Sequence, residues 1–239
     1  MRRLAFLYPP NGAEFEYYRQ GERLADGVRV TLAGVRIFGD EAEHEPEHLR
    51  RTAALGNLRT SARALAPLAP VAAVWACTSG SFIDGLAHAR AQVRVLASEL
   101  GCPATSASLA FVAALQRLGI GRVSVLASYP EAATAAFTAF LAEAGIAVDT
   151  VRSLGAESGP QAARIDGAAF EEAARTMAPP SGGALLIPDT AVPTLDWLAG
   201  LEQGLERTVL SANQVSLWHA ARLADIAAQG LGPGRLFAA

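Results

Sequence analysis

Four residues in the stretch Cys77-Thr78-Ser79-Gly80-Ser81-Phe82, one thiol and three hydroxyls, have the types that nucleophilic or acid–base chemistry needs. They follow the apolar run 71–76, where a buried strand gives way to small hydroxyl residues. The end of a strand is where α/β folds keep their ligands. A thiol there, with the amides of a following helix aimed at it, is expected to have a lowered pKa and to be a thiolate. Thr78, Ser79 and the neighbouring N–H groups suit a carboxylate or enolate oxygen. The bland alternative for Cys77 is a small buried core residue.

Asp189-Thr190 closes a second apolar run, 184–188, in the same manner. Asp189 there could be a general base, or it could cap a helix. Tyr129, after another strand-like run, could donate to a ligand carboxylate. Asn11 follows Pro9-Pro10 on a loop that the prolines stiffen, and offers both a donor and an acceptor. His44 and His48 stand four apart, a spacing that can hold a metal, but Pro46 lies between them in a densely charged run; a solvated, acidic helix start is the expected structure. His219 reads as a packing or surface histidine and Cys102 as a structural residue at a turn. No metal site and no cofactor are expected.

These residues need a scaffold. Strand-like runs fall at 4–8, 28–35, 71–76, 123–127, 147–152, 184–187 and 208–210. Helical ones lie at 46–66, 82–99, 107–118, 131–144, 167–177, 193–203 and 213–229, with a turn at 179–183. Continuously apolar strands between helices are buried on both faces, which means parallel sheets in an α/β fold. An internal repeat runs in one order through both halves. Strands ending in Tyr-Pro recur at 8–9 and 129–130, Cys77-Thr78 matches Asp189-Thr190, and Ser106-Ala107 matches Ser211-Ala212. The expected architecture is two Rossmann-like halves related by a pseudo-two-fold, with the site in the cleft between them. The first half is expected over 1–104 plus 209–239 and the second over 105–208.

Composition narrows the chemistry. All 20 basic residues of the 239 are arginine. Without lysine, pyridoxal and Schiff-base chemistry and a P-loop are excluded as usually built. A formal net charge of -3 with no basic block gives no footprint for nucleic acid. No apolar run reaches the roughly 18 residues of a membrane span, and the first ten residues are too short for a signal peptide. A cytoplasmic protein is expected, a homo-oligomer being compatible.

The Cys-Thr-Ser-Gly-Ser turn, the mid-chain Tyr-Pro and the ending that starts Ser211-Ala212-Asn213-Gln214 resemble the aspartate/glutamate/hydantoin racemase superfamily. Within it, the chain is similar to the maleate cis–trans isomerase and arylmalonate decarboxylase branch, which includes ectoine-utilisation-type proteins. The resemblance implies a cofactor-free site with one cysteine from each half, Cys77 in the first position, and Asn11, Thr78, Ser79 and Tyr129 holding a substrate carboxylate. Asp189 stands where the second cysteine would be. Arylmalonate decarboxylases keep that second cysteine and lack the first, the reverse of this chain. The isomerases' asparagine in the loop matching 155–164 is absent, so that contact is either missing or made by Ser158. The resulting expectation is an isomerase or racemase of a small carboxylate or dicarboxylate, with Cys77 and Asp189 catalytic and Thr190 among the carboxylate holders. A decarboxylase and a non-catalytic carboxylate-binding protein are the alternatives.

Overall fold

The computed structural model describes residues 1–23, 27–177, 183–227 and 232–238. The first half runs β1 (Arg2–Tyr8), α1 (Glu14–Gly21), β2 (Val28–Gly34), α2 (Pro46–Thr52), α3 (Leu55–Leu65), β3 (Ala72–Trp75), α4 (Thr78–Phe82), α5 (Gly85–Leu100), β4 (Ala104–Ser106) and α6 (Ala107–Leu118). The second runs β5 (Arg122–Ala127), α7 (Glu131–Glu143), β6 (Ala147–Ser153), α8 (Gly159–Ala162), α9 (Gly167–Arg175), β7 (Ala184–Ile187), α10 (Leu198–Leu205), β8 (Thr208–Ser211) and α11 (Ala212–Leu223). The strands form two parallel four-stranded sheets, ordered β2-β1-β3-β4 and β6-β5-β7-β8. The two orders are one order repeated.

Alternation along the strands explains the unbroken apolar runs. Leu4 and Phe6 of β1, Val74 of β3, Val125 of β5 and Leu186 of β7 point into one shared core. Their neighbours Leu7 and Trp75 pack on the outer face of the first sheet, and Leu185 and Ile187 on that of the second. Both faces of each sheet are therefore buried. Phe82, Phe111, Phe137 and Phe140 fill the shared core, with ring centroids 5.2–6.4 Å apart along the chain of contacts.

Several expectations change. The helix read as 46–66 is two, α2 and α3, because Ala54 takes an extended ψ of 137°. The one read from 82 is α4 plus α5, broken at Gly85, whose φ is +80°. The helix expected at 193 begins at Leu198. Helix α1 was not expected at all, and β4, foreseen as an extended piece, is a full member of the first sheet. Of the turn at 179–183, only Gly183 lies among the described residues; so do the positions to 227 of the helix expected to reach 229. No described helix is long and apolar enough to cross a membrane. By sheet pairing, β4 belongs to the first sheet and β8 to the second. The expected boundaries at 104/105 and 208/209 therefore fall inside these two strands.

One buried carboxyl ties the halves together. Glu16 of α1 is 2% exposed; it accepts hydrogen bonds from the Leu195 N–H (2.7 Å) and from Asn213 Nδ2 (2.6 Å). Burial pushes its pKa up to about 7, against the lowering effect of those bonds. A carboxyl whose pKa is higher folded than unfolded binds the proton more tightly when folded, so its contribution is complete at low pH and is lost as pH rises through about 7. Thermal unfolding followed from pH 5 to 8 should show Tm falling by several degrees. Glu16→Gln should flatten that slope whatever its own Tm; an unchanged slope would assign the effect elsewhere.

Candidate active site

Cys77 and Asp189 occupy equivalent places, each two residues past the last residue of its strand, Trp75 or Ile187. Both line one small cavity of about 40 Å³. Ser79 and Thr190 share its wall, with Tyr8 and Pro9 from the end of β1 and Glu43 and His44 from the segment after β2. The cavity is thus built from strand ends of both sheets, where parallel sheets leave room for ligands.

Cys77 is the N-cap of α4. Its Sγ accepts the Gly80 N–H at 3.3 Å and lies 3.6 Å from Ser79 Oγ. Gly80 is required there, since a Cβ would sit 2.8 Å from the Trp75 ring and 3.1 Å from the Cys77 sulfur. The expected thiolate does not form. Burial pushes the Cys77 pKa up to about 11, and the charges of Asp189 and Glu43 add to it; Ser79 and Gly80 only partly compensate. The reason is that α4 is a single turn of five residues, too short for an aligned dipole to outweigh the loss of water. Cys77 at rest is a neutral thiol, a proton donor. At pH 7.5 iodoacetamide should therefore label it about 100-fold more slowly than an ordinary thiol, with the rate still climbing above pH 9. Peptide mass mapping of the labelled site checks this, and a plateau near pH 7 would contradict it.

Asp189 is 3% exposed. Its Oδ1 accepts the Ala191 N–H at 2.9 Å and its Oδ2 accepts a short bond from Ser128 Oγ. Burial raises its pKa; His44 is the largest influence in the other direction, ahead of Ser128, Ala191 and Tyr129. The bond to Ala191 is an Asx turn, so the side chain shapes its own loop as well as facing the cavity.

The remaining expected residues divide. Ser79 and Thr190 are in the cavity wall, and the Thr190 carbonyl accepts a 2.8 Å bond from the Tyr8 hydroxyl across the two halves. Thr78 and Tyr129 are wholly buried behind that wall. Tyr129 is wedged edge-on between His44 (4.9 Å) and Phe82 (5.7 Å). Among the described residues neither hydroxyl has a partner within hydrogen-bond geometry, although Asp189, Cys77, Thr78 and Ser79 all act on Tyr129. Buried donors without acceptors are costly. Asn11 is not brought in: it is exposed at a turn with φ 76°, its N–H held by Glu14. Ser158 is buried beside Gly159, which lines the cavity.

Sequence reasoning misplaced His44. It is 6% exposed rather than solvated, its Nδ1 is 2.8 Å from the Ala156 carbonyl, and its N–H donates to the Glu157 carbonyl at 2.9 Å. His48 turns the other way, with Nδ1 2.9 Å from the Ala42 carbonyl. Glu43 accepts the Gly159 N–H at 2.8 Å and was likewise not foreseen. The only signal was that Pro46 starts α2, leaving the two residues before the cap free to turn inwards. Cys102 is buried, and His219 is bonded to Thr105 Oγ1 at 3.0 Å.

Comparison with known proteins gives a consistent picture. The sequence model of the family described as arylmalonate decarboxylase matches residues 51–237. An arylmalonate decarboxylase from Bordetella bronchiseptica is 34% identical over 164 residues, 67% of this chain and 68% of that one. Among solved structures, a liganded mutant of arylmalonate decarboxylase, with a glycine replaced by cysteine and a cysteine by serine, superposes with a TM-score of 0.85 at 26% identity over 99% of both chains. A maleate cis–trans isomerase from Nocardia farcinica bound to TRIS shares the fold, with a TM-score of 0.88 at 22% identity over 99% of this chain and 98% of that one.

Proposed function

Because this chain belongs to the arylmalonate decarboxylase family, we propose that it is a cofactor-independent enzyme that moves a proton at the carbon next to a carboxylate in a small acid, in the manner of an isomerase or racemase. The observation that carries the reading is the pair Cys77 and Asp189, one from each sheet, on the wall of one cavity. Ser79 and Thr190, in the wall of that cavity, are its carboxylate holders, with Thr78 and Tyr129 buried behind them.

The protonation state of Cys77 selects among steps. A resting thiol protonates an enediolate directly, whereas adding sulfur to a double bond first requires its proton to leave. We therefore assign Cys77 the role of proton donor to one face of the substrate carbon and place Asp189 on the opposing side. Charge develops on the substrate carboxylate, where Ser79 and Thr190 of the cavity wall meet it.

The same donor supports a second reading. Loss of carbon dioxide from a malonate generates a carbanion without any base, and Cys77 alone would then complete turnover. The family match favours this alternative. One experiment separates them: incubation with maleate, malonates and amino acids in D2O under NMR detection. Isomerisation or α-deuterium exchange supports the first reading and carbon dioxide release the second. Ligand-induced thermal stabilisation with no turnover would leave a binding protein and overturn both.

A further inference from the structure

We propose that His44 is a catalytic acid–base residue of this site: its Nε2 exchanges a proton with the substrate on the side where Asp189 lies, and the Asp189 carboxylate steadies the imidazolium that forms. The inference rests on the proton-transfer reading above and supplies the base that reading leaves unassigned.

Asp189 is held in place at both carboxylate oxygens. Each of its oxygens already accepts a hydrogen bond, from Ser128 or from the Ala191 N–H. It is better suited to be a fixed buried charge. His44 has what Asp189 lacks. A carbonyl oxygen can only accept, so the 2.8 Å contact to Ala156 places a hydrogen on Nδ1, and in the neutral ring the lone pair is then on Nε2. Nε2 makes no hydrogen bond among the described residues, and His44 is one of the residues that line the cavity. The Ala156 carbonyl and the Tyr129 ring hold the imidazole from the second half, and the Glu157 carbonyl holds the His44 backbone N–H, although His44 itself belongs to the first. The titratable groups around it are Asp189, Tyr129, Glu157 across the interface, and Glu43 and Glu45 on its own segment.

The step balances without another reactant. Nε2 takes the α-proton, and the C–H electron pair passes into the carboxylate as an enediolate. The Cys77 thiol then gives its proton to the other face of the same carbon, leaving a thiolate. Return of the imidazolium proton to that thiolate through water restores both groups. In the reverse direction the two exchange roles.

His44→Asn tests this, because an asparagine amide can keep the hydrogen bond to Ala156 while deleting Nε2. With the acid panel in D2O, α-deuterium exchange by the variant should fall about 100-fold or more through kcat, with KM and Tm little changed. Imidazole added to His44→Ala should restore part of the rate, which a structural role would not allow. Exchange by His44→Asn within tenfold of wild type would overturn the role of His44 alone. A wild-type protein that decarboxylates without exchanging α-hydrogen would overturn it too. Silence of the wild type across the panel would overturn this inference together with the reading beneath it.

Discussion

Cys77→Ala should lower turnover by about 1000-fold or more while leaving the protein folded. The thiol is the proton donor in the cavity wall, and alanine offers no proton. The structural cost is small. The Gly80 N–H loses the sulfur it donates to at 3.3 Å, and one unmet backbone donor costs about 1–3 kcal/mol. At this chain length that is a Tm loss of roughly 2–12 °C. Cys77→Ser separates the two effects. Its hydroxyl can accept from Gly80 and so keep the local geometry, but it is a far weaker acid than a thiol and should be nearly as inactive. Steady-state kinetics beside circular dichroism decides. Turnover of Cys77→Ala within tenfold of the wild type would remove the thiol from the mechanism.

The second large effect is expected at Asp189. Replacement by asparagine removes the charge but keeps the turn: Oδ1 can still accept the Ala191 N–H, and the amide can donate to Ser128 Oγ. Asp189→Asn should lose about 100-fold or more in kcat. Its Tm should hold or rise, because a carboxyl whose pKa burial raises is a charge the fold pays to keep. Asp189→Ala should lose activity and also Tm, since it strands both Ser128 and the Ala191 N–H. The informative comparison is between these two variants. If Asp189→Asn retained full activity while Asp189→Ala lost stability, Asp189 would be a turn former and nothing more.

These expectations lean unequally on sequence and structure. Residues 4–8, 71–76, 123–127 and 184–187 announced buried parallel strands, because burial on both faces leaves the alternation almost wholly apolar, with Ser124 the exception. The matched pairs Cys77-Thr78 and Asp189-Thr190 announced two equivalent strand ends, and the sheets show one order twice. Chain breaks were less legible. Ala54 interrupts a helix where local propensity alone would continue it, and the break at Gly85, though glycine allows it, was not read from the sequence.

By itself, then, the amino-acid sequence determined the class of fold, the repeat and the strand ends at which chemistry can sit, since periodicity and turn chemistry act over a few neighbouring residues. Only the tertiary structure decided the electrical state of the site and its full membership. Cys77 is a neutral thiol because atoms from distant segments strip it of water. His44 enters because Ala156 and Glu157, more than a hundred positions away, provide the carbonyls that hold it. Desolvation and cross-half hydrogen bonding depend on what packs alongside, which no local pattern encodes.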